Sequence, residues 1–167
     1  MPPQPNKIRR RRAAGELEVE QTQDLTAITV MLRRAGINTD VFDNAGCFLM
    51  AYRGDDPVGI AGLETQVDAA LMRWLFVLKP MRRRGIGARL VRAVRVAAHT
   101  RGARMLYAMV PSPLASYLAR LGFNEVSLAE IVKAFAEPSI LQRTRSDQTA
   151  ECNALCLDLS RDGLIER

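Results

Sequence analysis

Leu71–Ala88 reads LMRWLFVLKPMRRRGIGA. An apolar, strand-like run passes through a proline into three arginines, then into Gly85-Ile86-Gly87 and a periodic helical stretch. That order sets unpaired backbone N–H groups at a helix N-terminus, where the helix dipole adds to their pull on a phosphate. Gly85 and Gly87 carry no Cβ, so a ligand can approach the main chain closely. Arg82, Arg83 and Arg84 put positive charge at the mouth. Strand, basic loop, glycines and helix in this order predict a phosphate-bearing ligand at Arg82–Ala88.

Working outward, Ile86–Thr100 is a helix, with Ile86, Leu90, Val94 and Ala97 inward and Arg89, Arg92 and Arg95 more exposed. Met105–Val110 is the next strand, and Pro113–Leu121 a second helix closed by Gly122. Upstream, Glu16–Glu20 is a short strand, and Thr22 caps a helix carrying Leu25, Ile28, Met31 and Leu32 on one stripe. Gly36 ends that helix, and Asn38–Asn44 is a link with room for one helical turn. Cys47–Arg53 and Pro57–Glu64 are strands around the turn Gly54-Asp55-Asp56-Pro57. Downstream, Ser127-Leu128-Ala129-Glu130 matches a capping box, so Leu128–Ala136 is helical until Pro138. A second short helix is expected at Ile140–Arg145, and Cys152–Leu159 is the last strand. The pattern predicts a mixed α/β (α+β) domain, its central sheet mostly antiparallel and flanked by helices.

The chain has 167 residues, 48% of them hydrophobic, enough for one domain with a core. The domain is expected at 16–167, behind a flexible basic tail at 1–15. No apolar run approaches the ~20 residues of a membrane span, so no membrane partner is expected. Met1–Gly15 lacks the apolar core of a signal peptide, which points to a cytoplasmic protein. The net charge of +6 is mostly local: without Lys7 and Arg9–Arg12, the basic and acidic residues nearly balance. Such a run can neutralise nucleic-acid phosphates. With proline and polar neighbours and almost nothing to bury, however, it reads as a solvated tail, and nucleic acid is not the expected partner.

Cys47, Cys152 and Cys156 are expected to be reduced thiols on apolar elements, and Cys152-x-x-x-Cys156 is not standard zinc spacing. His99 is the only histidine, which excludes a multi-histidine metal site and disfavours a Ser/His/Asp or Cys/His machine. No metal is expected.

The stretch Arg82–Ala88 resembles the acyl-CoA pyrophosphate loop of the GNAT superfamily of N-acetyltransferases, with pattern Q/R-x-x-G-x-G/A. Arg82 stands at the first position, and Gly85 and Gly87 at the glycines. Gly59-Ile60-Ala61-Gly62-Leu63-Glu64 upstream and Arg120-Leu121-Gly122-Phe123 downstream extend the resemblance, from Leu17 to Leu159. It implies the GNAT fold and acetyl-CoA as co-substrate, bound by Arg82, Arg83, Arg84, Gly85, Ile86, Gly87 and Ala88. It also implies a strand splayed from its neighbour, so that Phe76, Val77 and Leu78 present main-chain groups to the pantetheine and thioester. A backbone N–H there would stabilise the oxyanion, a contribution of ~3–4 kcal/mol per donor in comparable holes. One departure is that the family's loop proline falls at Lys79, whereas this chain has Pro80.

Arg73 is the one charge inside an apolar run. Burying a lone guanidinium is costly, so it meets an anion, either a substrate carboxylate or a structural partner. Glu64, ending a strand, and Asp68, opening the next, are candidate general bases, with Glu64 preferred. Many GNAT enzymes protonate the leaving thiolate with a tyrosine that aligns here with Leu118; Tyr117 stands one residue early, a rotation of ~100° on a helix. The GIAGLE segment, the LMR strand, ASYLARLGF and the helical segment before the last strand look most like the amino-acid acetyltransferase branch. That branch includes short N-acetylglutamate synthases and arsenic-resistance acetyltransferases. The resemblance implies acetyl transfer to a primary amine of a small amino-acid-like substrate, by direct attack in a ternary complex. Protein or polyamine acetylation and non-catalytic acyl-CoA sensing stay open, as does a homodimer.

Overall fold

The computed structural model describes residues 15–39, 46–135 and 152–161. The tail before Gly15, most of the link expected at Asn38–Asn44, and the helix expected at Ile140–Arg145 lie outside them.

Among the described residues seven strands form one sheet: β1 (Leu17–Thr22), β2 (Cys47–Arg53), β3 (Asp56–Gln66), β4 (Ala69–Val77), β5 (Met105–Pro111), β6 (Asn124–Glu125) and β7 (Cys152–Asp158). Their spatial order is β1-β2-β3-β4-β5-β7-β6. Only β4 and β5 run parallel, because α2 (Ile86–Thr100) crosses over between them. The other helices are α1 (Leu25–Arg34), α3 (Ser112–Arg120) and α4 (Leu128–Ala134).

Alternation along the strands sorts side chains onto two faces. Leu49, Ala61, Leu63, Met72, Leu106 and Ala108 pack on one face with Leu90 and Val94 of α2 and Leu118 of α3. On the other face α1 covers Phe48, Met50, Tyr52 and Ile60, while α4 covers Leu71, Tyr107 and Cys156. Within α2 the inward row is Ile86, Leu90, Val94 and Ala98; Ala97, expected inward, is half-buried, since the i, i+4 row that faces the sheet passes through position 98.

The α1 cap differs from expectation. Thr22 ends β1, and the Asp24 carboxylate accepts from the Ala27 N–H at 3.1 Å, so Asp24 is the N-cap. The Thr22 hydroxyl accepts instead from the Asp24 N–H. Strand β3 runs to Gln66, so Glu64 lies inside it, and Asp68 sits in the exposed turn before β4. The expected cap of α4 is present, with Ser127 Oγ accepting from the Glu130 N–H at 3.3 Å; the helix stops at Ala134, where Phe135 turns to extended backbone.

Candidate active site

β4 and β5 pair only from Ala69/Met105 to Met72/Ala108, yet β4 continues to Val77 and β5 to Pro111. The strands part beyond that last pair. The parting opens a cleft of about 790 Å³ on the α2/α3 side. Leu75, Phe76 and Val77 of β4 form one wall, the loop and first turn of α2 another, and Pro111, Pro113, Leu114, Tyr117, Arg120 and Leu121 the third.

Of the main-chain groups in β4, Val77 faces the opening. The Leu78 N–H donates to the Val58 carbonyl at 3.0 Å, so alternation turns the N–H and C=O of Val77 to the opposite side. The Val77 carbonyl accepts there from Arg82 Nε at 2.9 Å. Leu78 is outside the cleft lining; its side chain packs into the α1 cluster and its N–H is engaged. Phe76 contributes to the wall and lies 5.7 Å beneath the Arg82 guanidinium.

The loop is built on left-handed backbone. Arg83 has φ 61° and Gly85, the N-cap of α2, φ 76°. A Cβ on Gly85 would meet nothing within 4 Å, so its glycine serves the backbone angle rather than close contact. The first intrahelical bond joins the Arg89 N–H to the Gly85 carbonyl, leaving the N–H groups of Ile86, Gly87 and Ala88 without helical partners at the cleft. Gly87 is different: a Cβ there would come within 2.9 Å of the Tyr117 hydroxyl. Arg82 and Arg83 line the cleft and Arg84 does not.

The α3 face at the cleft is Pro113, Leu114, Tyr117, Arg120 and Leu121, spaced as one helical stripe. Leu118, aligned with the family's acid, is fully buried in the core; Tyr117 points at the cleft. Burial pushes the Tyr117 pKa above its ordinary value, against a weaker downward pull from Arg120, whose guanidinium is 5.9 Å from the ring. The hydroxyl therefore keeps its proton at neutral pH.

Arg73 is the first β4 residue beyond the last pair with β5, and it shares the α1/α4 face with Glu64. Arg73 Nη1 donates to Glu64 Oε1 at 2.6 Å, with 4% and 10% of the two side chains exposed. Glu64 Oε2 is buried and has no hydrogen-bond partner among the described residues. Asp68 is at the far, closed end of β4, beside Arg104, remote from the parting. No cluster of three or more potential metal ligands occurs among the described residues, and no helix there is long and apolar enough to cross a membrane.

Residues 44–125 match the family model described as Acetyltransferase (GNAT) domain. No curated protein matches the chain in sequence. Among solved structures the chain is similar to N-acetylglutamate synthase from Neisseria gonorrhoeae complexed with coenzyme A and N-acetyl-glutamate. The TM-score is 0.67 at 19% identity, over 89% of this chain and 36% of that one. A Mycobacterium tuberculosis protein in complex with CoA gives 0.66 at 18%, over 84% and 98%. A GNAT family acetyltransferase from Elizabethkingia anophelis with acetyl-CoA bound gives 0.65 at 14%, over 85% and 97%. The chain thus spans about a third of the synthase and nearly all of the other two. At such identities the likeness establishes the fold. Residues 44–125 thus match a GNAT acetyltransferase domain, inside a fold that the chain shares with CoA-bound acetyltransferase structures.

Proposed function

We propose that this chain moves the acetyl group of acetyl-CoA to the primary amine of a small amino-acid-like acceptor, by direct attack in a ternary complex. The parting of β4 and β5 beyond Met72 and Ala108 carries the reading. It leaves a cleft on one face and, at its inner end, a buried carboxylate–guanidinium pair on the other.

In this reading the N–H groups of Ile86, Gly87 and Ala88, with Arg82 and Arg83, hold the pyrophosphate. The pantetheine runs along Leu75–Val77, and the Val77 N–H hydrogen-bonds the thioester oxygen. Glu64 Oε2 takes a proton from the acceptor ammonium. The amine nitrogen then bonds to the acetyl carbon, the C–S bond breaks, and the sulfur takes its proton from the Tyr117 hydroxyl, which is restored by the second proton as it leaves the new amide nitrogen. Arg73 donates through Nη1 to Glu64 Oε1, and a planar guanidinium at that place suits the carboxylate of an acceptor bound beside the pair. A neutral buried pair matches a zwitterion, since either group of the acceptor meets its opposite.

The test is release of CoA thiol from acetyl-CoA with panels of free amino acids, polyamines and peptides, alongside calorimetry of acetyl-CoA. Amino acids should lead, and Arg73→Lys should raise their KM far more than that of acetyl-CoA. Equal kinetics for an amino acid and its decarboxylated amine would remove the carboxylate clamp. Tight acetyl-CoA binding with no acetylated amine from any panel would leave a sensor.

A further inference from the structure

Across the centre of the sheet β4 carries one more residue than β3. Gly62 faces Arg73 and Ile60 faces Phe76, so Trp74 and Leu75 together oppose Ala61. Trp74 absorbs the extra residue at φ 53°, a region that bulky side chains rarely adopt. In a regular strand Arg73 and Trp74 would project to opposite faces. Here the Arg73 guanidinium carbon lies 3.9 Å from the centroid of the Trp74 ring.

The ring itself is held from two other directions. It stacks on Phe48 with centroids 5.7 Å apart and planes 11° from parallel. It also lies over Gly62, where a Cβ would come within 2.6 Å of Trp74 Cε3, so the ring takes space that only glycine leaves. Arg73 passes the constraint on, through Nη1 to Glu64 Oε1 at 2.6 Å. The series Phe48, Trp74, Arg73, Glu64 ends on Oε2, buried and with no hydrogen-bond partner among the described residues. Strained backbone persists where its surroundings over-determine it, and such places gather at functional sites.

We propose that Trp74 is a positioning residue for the acceptor amine. It stacks against Arg73, fixes the guanidinium that holds Glu64 Oε1, and so sets the direction of Oε2. The inference rests on Glu64 being the proton acceptor; Trp74 need not touch the substrate.

The experiment compares wild type, Trp74→Leu, Trp74→Phe, Glu64→Gln and the double variant Trp74→Leu/Glu64→Gln. CoA thiol release is followed with an equimolar mixture of the free proteinogenic L-amino acids as acceptor probe, and calorimetry measures acetyl-CoA affinity. Trp74→Leu should lower kcat/KM for the mixture by at least about tenfold and leave acetyl-CoA affinity within about twofold. Trp74→Phe, which keeps a flat ring for the guanidinium, should recover to within about threefold. In the Glu64→Gln background, Trp74→Leu should add almost nothing, because both act on one group. Equal losses in the Leu and Phe variants, a parallel fall in acetyl-CoA affinity, or additive losses would each overturn the proposal. An inert Glu64→Gln would overturn the base assignment and this proposal with it, whereas a damaging Glu64→Gln beside an inert Trp74→Leu would overturn the proposal alone. Should Trp74→Leu not fold, Gly62→Ala displaces the same ring and should reproduce the acceptor loss. A readout independent of any acceptor is also at hand, because Trp74 is the only tryptophan. Arg73→Lys and Glu64→Gln should each shift its fluorescence emission, and unchanged emission in both would overturn the coupling.

Discussion

The Tyr117 hydroxyl lies 2.9 Å from the point that a Cβ on Gly87 would occupy, so the first turn of α2 and α3 meet at one glycine. The obstacle is the far end of a side chain, which can swing away, and alanine is a better helix former than glycine by ~1 kcal/mol. Gly87→Ala should therefore fold with an unchanged or slightly raised Tm and weaken acetyl-CoA binding several-fold. Gly87→Asp adds a negative charge where the pyrophosphate is proposed to sit, and should abolish binding. Calorimetry on both folded variants checks this; wild-type affinity in Gly87→Asp would remove the loop from the binding site.

Tyr117→Phe should lower kcat by about 10- to 100-fold, at or below the bottom of the usual range for a proton donor, because a thiolate is a tolerable leaving group. Burial holds the Tyr117 pKa above its ordinary value, with Arg120 offsetting part of the rise. The active form is the protonated one, so activity is retained through neutral pH and lost as pH climbs past ~10. That alkaline limb of the kcat profile should vanish in Tyr117→Phe. A variant with wild-type kcat would leave Tyr117 as a wall of the cleft.

Helix and strand order was legible because α2 carries a helical period, β4 is a short, continuous apolar run, and Gly85 marks where α2 begins. The site was less so. Counting back from Gly122 puts Leu118 at the acid position, yet packing decides the helix face, and Leu118 is core while Tyr117 lines the cleft. The lone charge at Arg73 told that an anion must be near; which anion depended on the β3–β4 register, set by the two-residue Val67-Asp68 turn. A tryptophan at φ 53° is contrary to its own preference, so it was invisible in a reading built on preferences.

Asp24→Ala should cost about 1 kcal/mol, since it frees the Ala27 N–H at the start of α1. Thr22→Val, which removes only the bond to the Asp24 N–H, should cost less. Urea denaturation of both variants orders the two caps. A larger loss at Thr22 would restore it as the helix cap.

The buried pair makes the sharpest stability test. Glu64 and Arg73 are almost wholly withdrawn from water, and each satisfies the other's charge at 2.6 Å. Removing one partner leaves an uncompensated buried charge, which costs ~3–5 kcal/mol, whereas replacing both by apolar groups is often neutral. Against a domain stability of ~5–15 kcal/mol, Arg73→Met should thus lower the urea midpoint severely while Glu64→Leu/Arg73→Met recovers most of it. The recovered protein should still bind acetyl-CoA, whose proposed contacts lie on the other face, and should acetylate nothing, because the proposed proton acceptor is gone. Full acetyl transfer in the stable double variant would show that neither residue serves the reaction, and that the pair holds β3 to β4 and no more.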